Sequence, residues 1–242
     1  MAAASLEVTG LRKVFGGVVA LAGIDLSISC DEILGLVGPN GSGKTTLFNV
    51  VTGSIPATTG RICWQGREIA GKSAPDIARL GIARSFQQAM AFPGLPVEEN
   101  VRIAWEHGNR APDRRATWHS PDELLEFVGL GQLRHDVAGA LPFGNLRRLG
   151  LAVALATHPR LVLLDEPAAG LNDMETEGLA DLITPLPKMG IGVCVIDHDM
   201  NFIGYLCNRL VVLNFGTKIA EGEPAAVLKD PKVLQVYLGS GI

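Results

Sequence analysis

Gly38-Pro39-Asn40-Gly41-Ser42-Gly43-Lys44-Thr45 is the stretch that decides the fold of this chain. Its glycines let the backbone turn tightly, so that consecutive N–H groups point inward at phosphate oxygens. Lys44 supplies a positive charge for the β- and γ-phosphates, and the Thr45 hydroxyl is suited to ligate Mg²⁺. The pattern therefore predicts a nucleoside-triphosphate site made of Gly38, Asn40, Gly41, Ser42, Gly43, Lys44, Thr45 and Thr46.

The residues on either side of this loop predict a strand–loop–helix unit. Ile33–Val37 is an unbroken apolar run, which is typical of a buried strand, and Lys44–Val51 has the pattern of a helix that Gly53 ends. The amino end of that helix adds a partial positive charge at the phosphates. The alternative is an ordinary glycine-rich turn, which the strand before it and the helix after it disfavour.

Composition indicates a globular protein of one large domain. The chain has 242 residues, of which 47% are hydrophobic and 19% charged. No apolar run approaches membrane-spanning length, and residues 1–8 lack the pattern of a signal peptide. A net charge of −4 and a pI near 5.7 argue against nucleic acid as a main partner. Four cysteines without metal-ligand spacing predict buried free thiols in a reducing compartment: Cys30, Cys63, Cys194 and Cys207.

Strand-like and helix-like runs alternate along the rest of the chain. Residues 6–14, 20–29 and 61–64 are β-rich, and residues 161–164, 193–197 and 210–213 are short apolar runs typical of parallel strands covered on both faces. Residues 93–157 are mostly helical, with a capped helix start at 120–123 and a polar surface loop expected at 108–118. A helix over 173–184 is expected to stop at Pro185.

A second chemical motif is Leu161-Val162-Leu163-Leu164-Asp165-Glu166-Pro167. A buried strand that ends in two carboxylates needs partners for those charges, because desolvating an unpaired carboxylate is costly. Beside a phosphate loop, Asp165 is expected at the Mg²⁺ ion, and Glu166 is expected to orient or deprotonate the attacking water. The alternative is that Glu166 caps the next helix.

These motifs, with residues 141–145 and Asp197-His198-Asp199, occur in the order of an ATP-binding cassette (ABC) ATPase, which the chain resembles from residue 6 to residue 238. Residues 81–87, 165–172 and 220–239, with Phe92, Val97 and Asn100, are most similar to the ATP-binding subunits of branched-chain amino-acid importers. The resemblance implies an α/β P-loop NTPase fold with a mixed sheet core, an N-terminal antiparallel β part and a helical subdomain. It divides one domain, 1–242, into a RecA-like core with the β part (about 1–86 and 158–242) and the helical subdomain (about 87–157).

The resemblance also assigns roles to single residues. Phe15 would stack on adenine, although a phenylalanine in a strand is otherwise a core residue. Gln87, or else its neighbour Gln88, would touch Mg²⁺ or the lytic water and link the nucleotide to a membrane partner. His198 would hydrogen-bond the γ-phosphate. The implied catalytic residues are Glu166, His198 and Gln87, and the implied metal ligands are Thr45, Gln87 and Asp165.

The stretch Pro142-Phe143-Gly144-Asn145 departs from the family pattern. In relatives this signature loop reaches across a head-to-tail dimer to the partner's γ-phosphate, and most have serine at the position of Pro142 and glutamine at that of Asn145. Proline offers neither a hydroxyl nor an N–H, so one donor to the phosphate is lost, whereas Gly144 and a helix expected at 145–157 keep theirs. Asn172, where many relatives have aspartate, is a second departure. Both changes favour a pair made with a different cassette chain.

The resemblance implies an ATPase that powers a transporter by closing and opening the cassette dimer. Its cofactors would be ATP and Mg²⁺, and its place the cytoplasmic face of the cell membrane. Its partners would be a second ABC ATPase subunit, membrane permease subunits and, indirectly, an extracytoplasmic solute-binding protein. The alternatives are the ATPase of a lipid or lipopolysaccharide exporter and a nucleotide-binding regulatory subunit with weak turnover. The sequence leaves open the cargo and the identity of the second cassette.

Overall fold

The computed structural model describes residues 5–85, 92–108 and 117–239. Its strands are β1 (Leu6–Phe15), β2 (Val18–Ile28), β3 (Ile33–Val37), β4 (Thr59–Trp64), β5 (Arg67–Glu68), β6 (Ile82–Ser85), β7 (Leu161–Asp165), β8 (Gly192–Ile196), β9 (Arg209–Asn214) and β10 (Thr217–Gly222). Its α-helices are α1 (Lys44–Val51), α2 (Ala74–Arg79), α3 (Val97–His107), α4 (Pro121–Phe127), α5 (Phe143–Ala156), α6 (Asp173–Ile183), α7 (Met200–Leu206), α8 (Pro224–Val227) and α9 (Pro231–Gly239).

The strands form two sheets. The larger has the order β10-β9-β3-β8-β7-β6, in which β9 to β6 run parallel and β10 is antiparallel to β9. The smaller has the order β2-β1-β4-β5 and is antiparallel throughout. The predicted α/β fold, with a mixed sheet and an N-terminal antiparallel part, is therefore confirmed.

The inner strands of the larger sheet bury both faces, as their unbroken apolar sequences predict. Along β7, Leu161 and Leu163 pack into a cluster with α1 and the smaller sheet, whereas Val162 and Leu164 pack into a cluster with α3, α5 and α6. This alternation follows from the two-residue period of a strand. The parallel sheet thus lies between the antiparallel sheet on one side and helices on the other.

The helical segment follows the sequence pattern, with one correction. Ser120 Oγ accepts a hydrogen bond from Glu123 N–H at 3.1 Å, so α4 begins as predicted. The surface position expected for residues 108–118 is wrong for Trp118, which is 4% exposed and has its ring centroid 5.3 Å from that of Phe127. Burial of so large an aromatic side chain against α4 is favourable even though its neighbours in sequence are polar. Residues 109–116 lie outside the described part of the chain.

Two further expectations concern local features. Helix α6 ends at Ile183, just before Pro185, as predicted. All four cysteines are free thiols, but only Cys194 and Cys207 are buried. Cys30 and Cys63 are partly exposed because the first lies in a turn and the second on the outer face of β4, so the expectation of burial was wrong for these two. Among the described helices, none has the length and apolarity to cross a bilayer.

The boundary of a helical subdomain at about 87–157 stays a prediction. Helices α3 and α5 share one hydrophobic cluster with β3, β7 and β8, so the described helices pack directly on the sheet. That packing makes one continuous core on this face.

Candidate functional site

The predicted phosphate loop connects β3 to α1, and its glycines are required by its geometry. Gly41 and Gly43 have φ angles of +77° and +106°, in the left-handed region that other residues rarely adopt. A Cβ at Gly43 would lie 2.7 Å from the Ala20 carbonyl oxygen, and one at Gly38 would lie 2.1 Å from that of Leu213. The loop is therefore wedged against β2 and β9, with no room for side chains at either position.

Lys44 lies inside this loop rather than in solvent. It is 6% exposed, and its Nζ donates to the carbonyl oxygens of Gly38, at 2.6 Å, and Pro39, at 3.0 Å. Burial lowers the pKa of Lys44, while the nearby carboxylates of Glu166 and Asp165 raise it. The ammonium group is thus held at the base of the loop, where a phosphate would be a stronger acceptor than two carbonyl groups.

The phosphate residues and two of the predicted catalytic residues line one cleft of about 240 Å³. Its lining consists of Ala20, Asn40, Gly41, Ser42, Gly43, Lys44, Thr45, Thr46, Glu166 and His198. Gly38 is buried behind this lining. Residues from four separate segments of the chain therefore meet where the sequence predicted a triphosphate.

Glu166 and His198 contact each other at the open side of this cleft. His198 Nε2 lies 3.0 Å from Glu166 Oε1, and the Glu166 N–H donates to the Ile196 carbonyl at 2.7 Å, which ties the end of β7 to that of β8. Glu166 has a φ of +50°, a conformation that costs a non-glycine residue roughly 1 kcal/mol or more and is common at functional sites. The alternative role of Glu166 as a helix cap is wrong, because Asn172 caps α6 through a reciprocal pair with Glu175.

Asp197 organises this region, a role that the sequence analysis did not assign. The side chain is 4% exposed, its Oδ2 accepts from Ala168 N–H at 3.0 Å, and its Oδ1 accepts from the N–H groups of His198, at 2.7 Å, and Asp199, at 3.1 Å. One carboxylate thus holds both the His198 backbone and the loop that follows Glu166. The available signal was an acid directly after the wholly apolar strand β8.

Asp165 has the charged partner that its burial requires. Its side chain is 3% exposed, and Arg84 Nη2 donates to Asp165 Oδ2 at 2.6 Å. Its other oxygen, Oδ1, is buried and has no hydrogen-bond partner within the described residues. Arg84 received no role from the sequence, because it precedes β7 by a long stretch of chain.

The residues present fit a Mg²⁺ ion that arrives with a nucleotide. Thr45 is exposed in the cleft and offers a hydroxyl oxygen, Asp165 offers a carboxylate, and Ser42 Oγ is a second buried oxygen atom without a partner among the described residues. Mg²⁺ prefers such oxygen ligands and completes its shell with water and phosphates. In the described ranges there is no cluster of three or more His, Cys, Asp or Glu side chains that would form an all-protein site. Gln87 and Gln88 lie outside these ranges.

Phe15 is not a core residue. It lies at the end of β1, is 46% exposed, and has Lys13 Nζ at 4.8 Å from its ring centroid. It pairs with Val18 at the turn into β2, the strand whose Ala20 lines the cleft. An exposed ring beside the cleft is compatible with adenine stacking, which stays a prediction.

The signature stretch does not line the cleft of its own chain. Pro142 occupies the position before α5, which begins at Phe143 rather than at the expected residue 145. The helix therefore starts two residues early, since proline's fixed φ suits this position and its missing N–H is not needed there. The first-turn N–H groups, which include Phe143, Gly144 and Asn145, have no acceptor within the helix.

The same stretch packs on the loop that follows Glu166. A Cβ at Gly170 would lie 2.9 Å from the Phe143 ring, and one at Gly144 would lie 2.5 Å from Glu175 Oε1. Arg147 stacks over the Phe143 ring at 4.7 Å and donates to the Ala169 carbonyl at 3.0 Å. None of residues 142–145 lines the cleft.

The C-terminal helix also reaches the phosphate loop. The Tyr237 hydroxyl lies beside the Gly38 backbone, and burial raises the pKa of Tyr237 to about 12. In the sequence, this tail supports only the resemblance to importer subunits and carries no chemical motif. Its contact with the loop arises because α9 packs next to β10 and the core that lies under the loop.

Comparison with known proteins gives consistent results. Residues 21–169 match the family described as ABC transporter, and residues 217–242 match the family described as branched-chain amino acid ATP-binding cassette transporter. The chain is 37% identical to the high-affinity branched-chain amino acid transport ATP-binding protein BraF of Pseudomonas aeruginosa, with 97% of each chain covered. It is 36% identical to the high-affinity branched-chain amino acid transport ATP-binding protein LivG of Escherichia coli K12, again with 97% of each chain covered.

Solved structures show the same relationship. The crystal structure of the ADP conformation of an ATP-binding cassette of an ABC transporter superposes with a TM-score of 0.87 at 30% identity, covering 98% of this chain and 99% of that one. A nucleotide-free cassette gives a TM-score of 0.86 at 30% identity, covering 97% of this chain and 98% of that one.

Proposed function

The chain belongs to the ABC transporter ATP-binding family, and from that premise we propose that it hydrolyses ATP to power an importer of branched-chain amino acids or similar small polar solutes. Members of the family bind ATP with Mg²⁺ and hydrolyse it. The C-terminal match to the branched-chain family and the printed names of BraF and LivG support this cargo class.

The proposed ATP site is the cleft above α1. The loop N–H groups and Lys44 would bind the β- and γ-phosphates, and Phe15 would stack on adenine. Thr45 and Asp165, with Gln87 by resemblance, would hold Mg²⁺, which when bound neutralises charge on the phosphates. The buried position of Lys44 supports this assignment, because its two carbonyl acceptors lie within the loop that would cradle the phosphate.

The observation that carries the proposal is the Glu166–His198 pair, 3.0 Å apart in the cleft that also contains Lys44. Glu166 would accept a proton from the water whose oxygen attacks the γ-phosphorus, while ADP leaves with the bridging oxygen. His198 would hold Glu166 and hydrogen-bond the γ-phosphate. Asp197 fixes the backbone of His198, so this side chain starts from a defined position.

We further propose that the working unit is a head-to-tail dimer of cassettes, with a different chain as the second one. The signature stretch of this chain does not line its own cleft, and the first N–H groups of α5, which have no acceptor within the helix, are suited to bind a partner's γ-phosphate. Because Pro142 stands where most relatives have a serine, the partner's nucleotide site, which this signature stretch would complete, would be the weaker of the two. ATP would close the two cassettes, and loss of the γ-phosphate would let them part.

Membrane permease subunits would bind near residues 87–100 and convert this motion into transport. The chain would then lie at the cytoplasmic face of the membrane. Asn100 supports an ordered docking surface over residues 92–100, because its buried amide accepts from Phe92 N–H at 2.5 Å and donates to the Phe92 and Pro96 carbonyls at 3.2 and 2.9 Å. A solute-binding protein outside the cell would deliver the cargo.

The test is reconstitution of the chain with the membrane proteins that co-purify with it. Vesicles containing the complex should take up labelled leucine, isoleucine or valine only with ATP and the matching binding protein, and a Lys44→Ala complex should not. ATP-driven lipid or lipopolysaccharide extraction without uptake would instead establish the exporter alternative. ATP binding without turnover in the full complex would establish the regulatory one.

A further inference from the structure

Arg84 is a largely buried arginine that connects the two sides of the nucleotide site. It lies in β6, and its side chain is 9% exposed. Nη2 donates to Asp165 Oδ2 at 2.6 Å, and Nη1 donates to Asn49 Oδ1 at 2.5 Å. Asn49 belongs to α1, the helix that begins with Lys44 and Thr45. One guanidinium group therefore spans from the helix of the phosphate loop to the carboxylate predicted to face Mg²⁺.

The geometry requires an arginine rather than any cation. The planar guanidinium presents several N–H donors in a fixed fork, so it can bond two acceptors on different elements at once, whereas a lysine ammonium is a flexible point charge. The guanidinium also lies 5.7 Å from the centroid of the Phe48 ring, which closes one more side of its pocket. Contacts with Asp165, Asn49 and Phe48 thus help to fix its position.

Asp165 depends on this contact. A carboxylate with 3% exposure needs a partner, and Arg84 supplies a charge-assisted hydrogen bond to one oxygen while Oδ1 has none among the described residues. The bond restricts rotation of the carboxyl group. A metal site needs a ligand held in this way, because Mg²⁺ tolerates little deviation from its preferred geometry.

We propose that Arg84 is a positioning residue for Mg²⁺–ATP. It holds the Asp165 carboxylate directly and holds helix α1, which carries Thr45, through Asn49. The two groups are thereby kept in the relative position that the metal–nucleotide complex requires. This inference rests on the proposed function, since it concerns the same nucleotide site. It adds a residue of β6 to a site otherwise made of the phosphate loop and the carboxylates of Asp165 and Glu166.

The test compares ATP affinity with and without Mg²⁺ in the full-length chain. A fluorescent ATP analogue is titrated in Mg²⁺ and in EDTA, and the ratio of the two affinities is the gain due to the metal. In Arg84→Gln this gain should fall by about 10–100-fold, the range for removing a partner of a metal ligand, while affinity in EDTA changes little. Arg84→Lys should recover only part of the gain, because an ammonium group does not bridge Asn49 and Asp165.

Two further variants make the test decisive. Arg79→Gln is the matched control, because Arg79 is 73% exposed on α2 and pairs only with surface Asp76 among the described contacts, so its gain should equal that of the original chain. Asn49→Ala removes the second arm of the bridge and should lower the gain severalfold, and this result decides the matter if Arg84→Gln fails to fold. Melting temperatures without nucleotide are measured for all variants.

The outcomes separate this inference from the proposed function. A lower melting temperature with an unchanged metal gain in Arg84→Gln, or in Asn49→Ala where the first variant does not fold, would overturn the positioning role and leave the ATP site intact. An original chain that binds no ATP would overturn the proposed function itself. A loss of affinity that is equal in Mg²⁺ and EDTA would assign Arg84 to general packing and also contradict the proposal.

Discussion

The cleft above α1 and the signature stretch before α5 are built in different ways. Lys44 is held in the cleft by a carbonyl group of its own loop, and the buried side chains of Asp165 and Asp197 are held by hydrogen bonds to neighbouring segments of the chain. The signature stretch instead has an exposed Pro142 and a helix start whose first N–H groups lack acceptors within the helix. The contacts of the first region are made within one chain, whereas the N–H groups of the second would find an anion only on another molecule.

This difference predicts that the two regions tolerate substitutions unequally. Buried charges in a hydrogen-bonded network cannot be removed without leaving a partner unsatisfied, which costs about 1–3 kcal/mol for each group. An exposed helix start has water as an alternative partner, so Pro142 leaves the fold of this chain undisturbed. The departure at Pro142 therefore lies in the region that, under the proposed function, would serve a partner.

The largest expected effect is that of Glu166→Gln in the cleft. Loss of a positioned base should slow ATP hydrolysis of the assembled transporter by about 10²–10⁴-fold, whereas ATP binding should persist because the loop and Lys44 are unchanged. Phosphate release is the measurement, and Glu106→Gln, on the exposed side of α3, is the matched control. Near-normal turnover in Glu166→Gln would show that another group activates the water.

Lys44→Ala should act on binding instead. Removing the ammonium group takes away a charge-assisted contact to the phosphates, so ATP affinity should fall by about 10–100-fold. Titration of a fluorescent ATP analogue measures this, with exposed Lys188→Ala as control. Tight ATP binding by Lys44→Ala would contradict the assignment of the phosphate loop.

Asp197→Asn tests whether the cleft is one connected network. The amide keeps one acceptor oxygen but turns an NH₂ group toward an N–H donor, so one of the contacts to Ala168 or His198 is lost. The free energy of unfolding should fall by about 1–3 kcal/mol, measured by urea denaturation. Asp181→Asn, at an exposed position of α6, should leave it unchanged. Equal stability of both variants would mean that the Asp197 contacts contribute nothing net.

Pro142→Ser should have the smallest effect, and it concerns the other region. A serine hydroxyl would return a donor to the partner's γ-phosphate, so turnover of the assembled complex should rise by about five- to tenfold, the lower end for a charge-assisted bond at an exposed site. Pro142→Ala restores an N–H without a hydroxyl and should give a smaller increase. Unchanged turnover in Pro142→Ser would remove the basis for an asymmetric pair.

Much of the cleft was predictable because its chemistry is local in sequence. Glycines with positive φ, an apolar strand before them and a helix after them determine the phosphate loop within a short window. Asp165 and Glu166 follow directly from an apolar run that ends in two acids. The resemblance to ABC ATPases added His198 and the cross-dimer role of the signature, and the family is confirmed by the comparisons.

The predictions that were wrong share a cause. Trp118 was assigned to the surface from its polar neighbours, and two cysteines were assigned to the core from their residue type, but exposure depends on which elements pack around a residue. Helix α5 begins at Phe143, two residues before the expected start, because an extended proline is well suited to the position just before a helix. The residue types in a short segment do not specify which other segments pack against it, and that packing decides how exposed each residue is.

By itself, the sequence determined the phosphate loop, the paired acids and the alternation of strands and helices, since each of these depends on residues that are close together in the sequence. The tertiary structure alone decided that Arg84 meets Asp165, 81 residues away, and that Asp197 meets Ala168, 29 residues away. These contacts exist because the order β3-β8-β7-β6 brings the carboxyl ends of separate strands to one edge. Strand order is set by the burial of whole strands, and no short stretch of sequence specifies it.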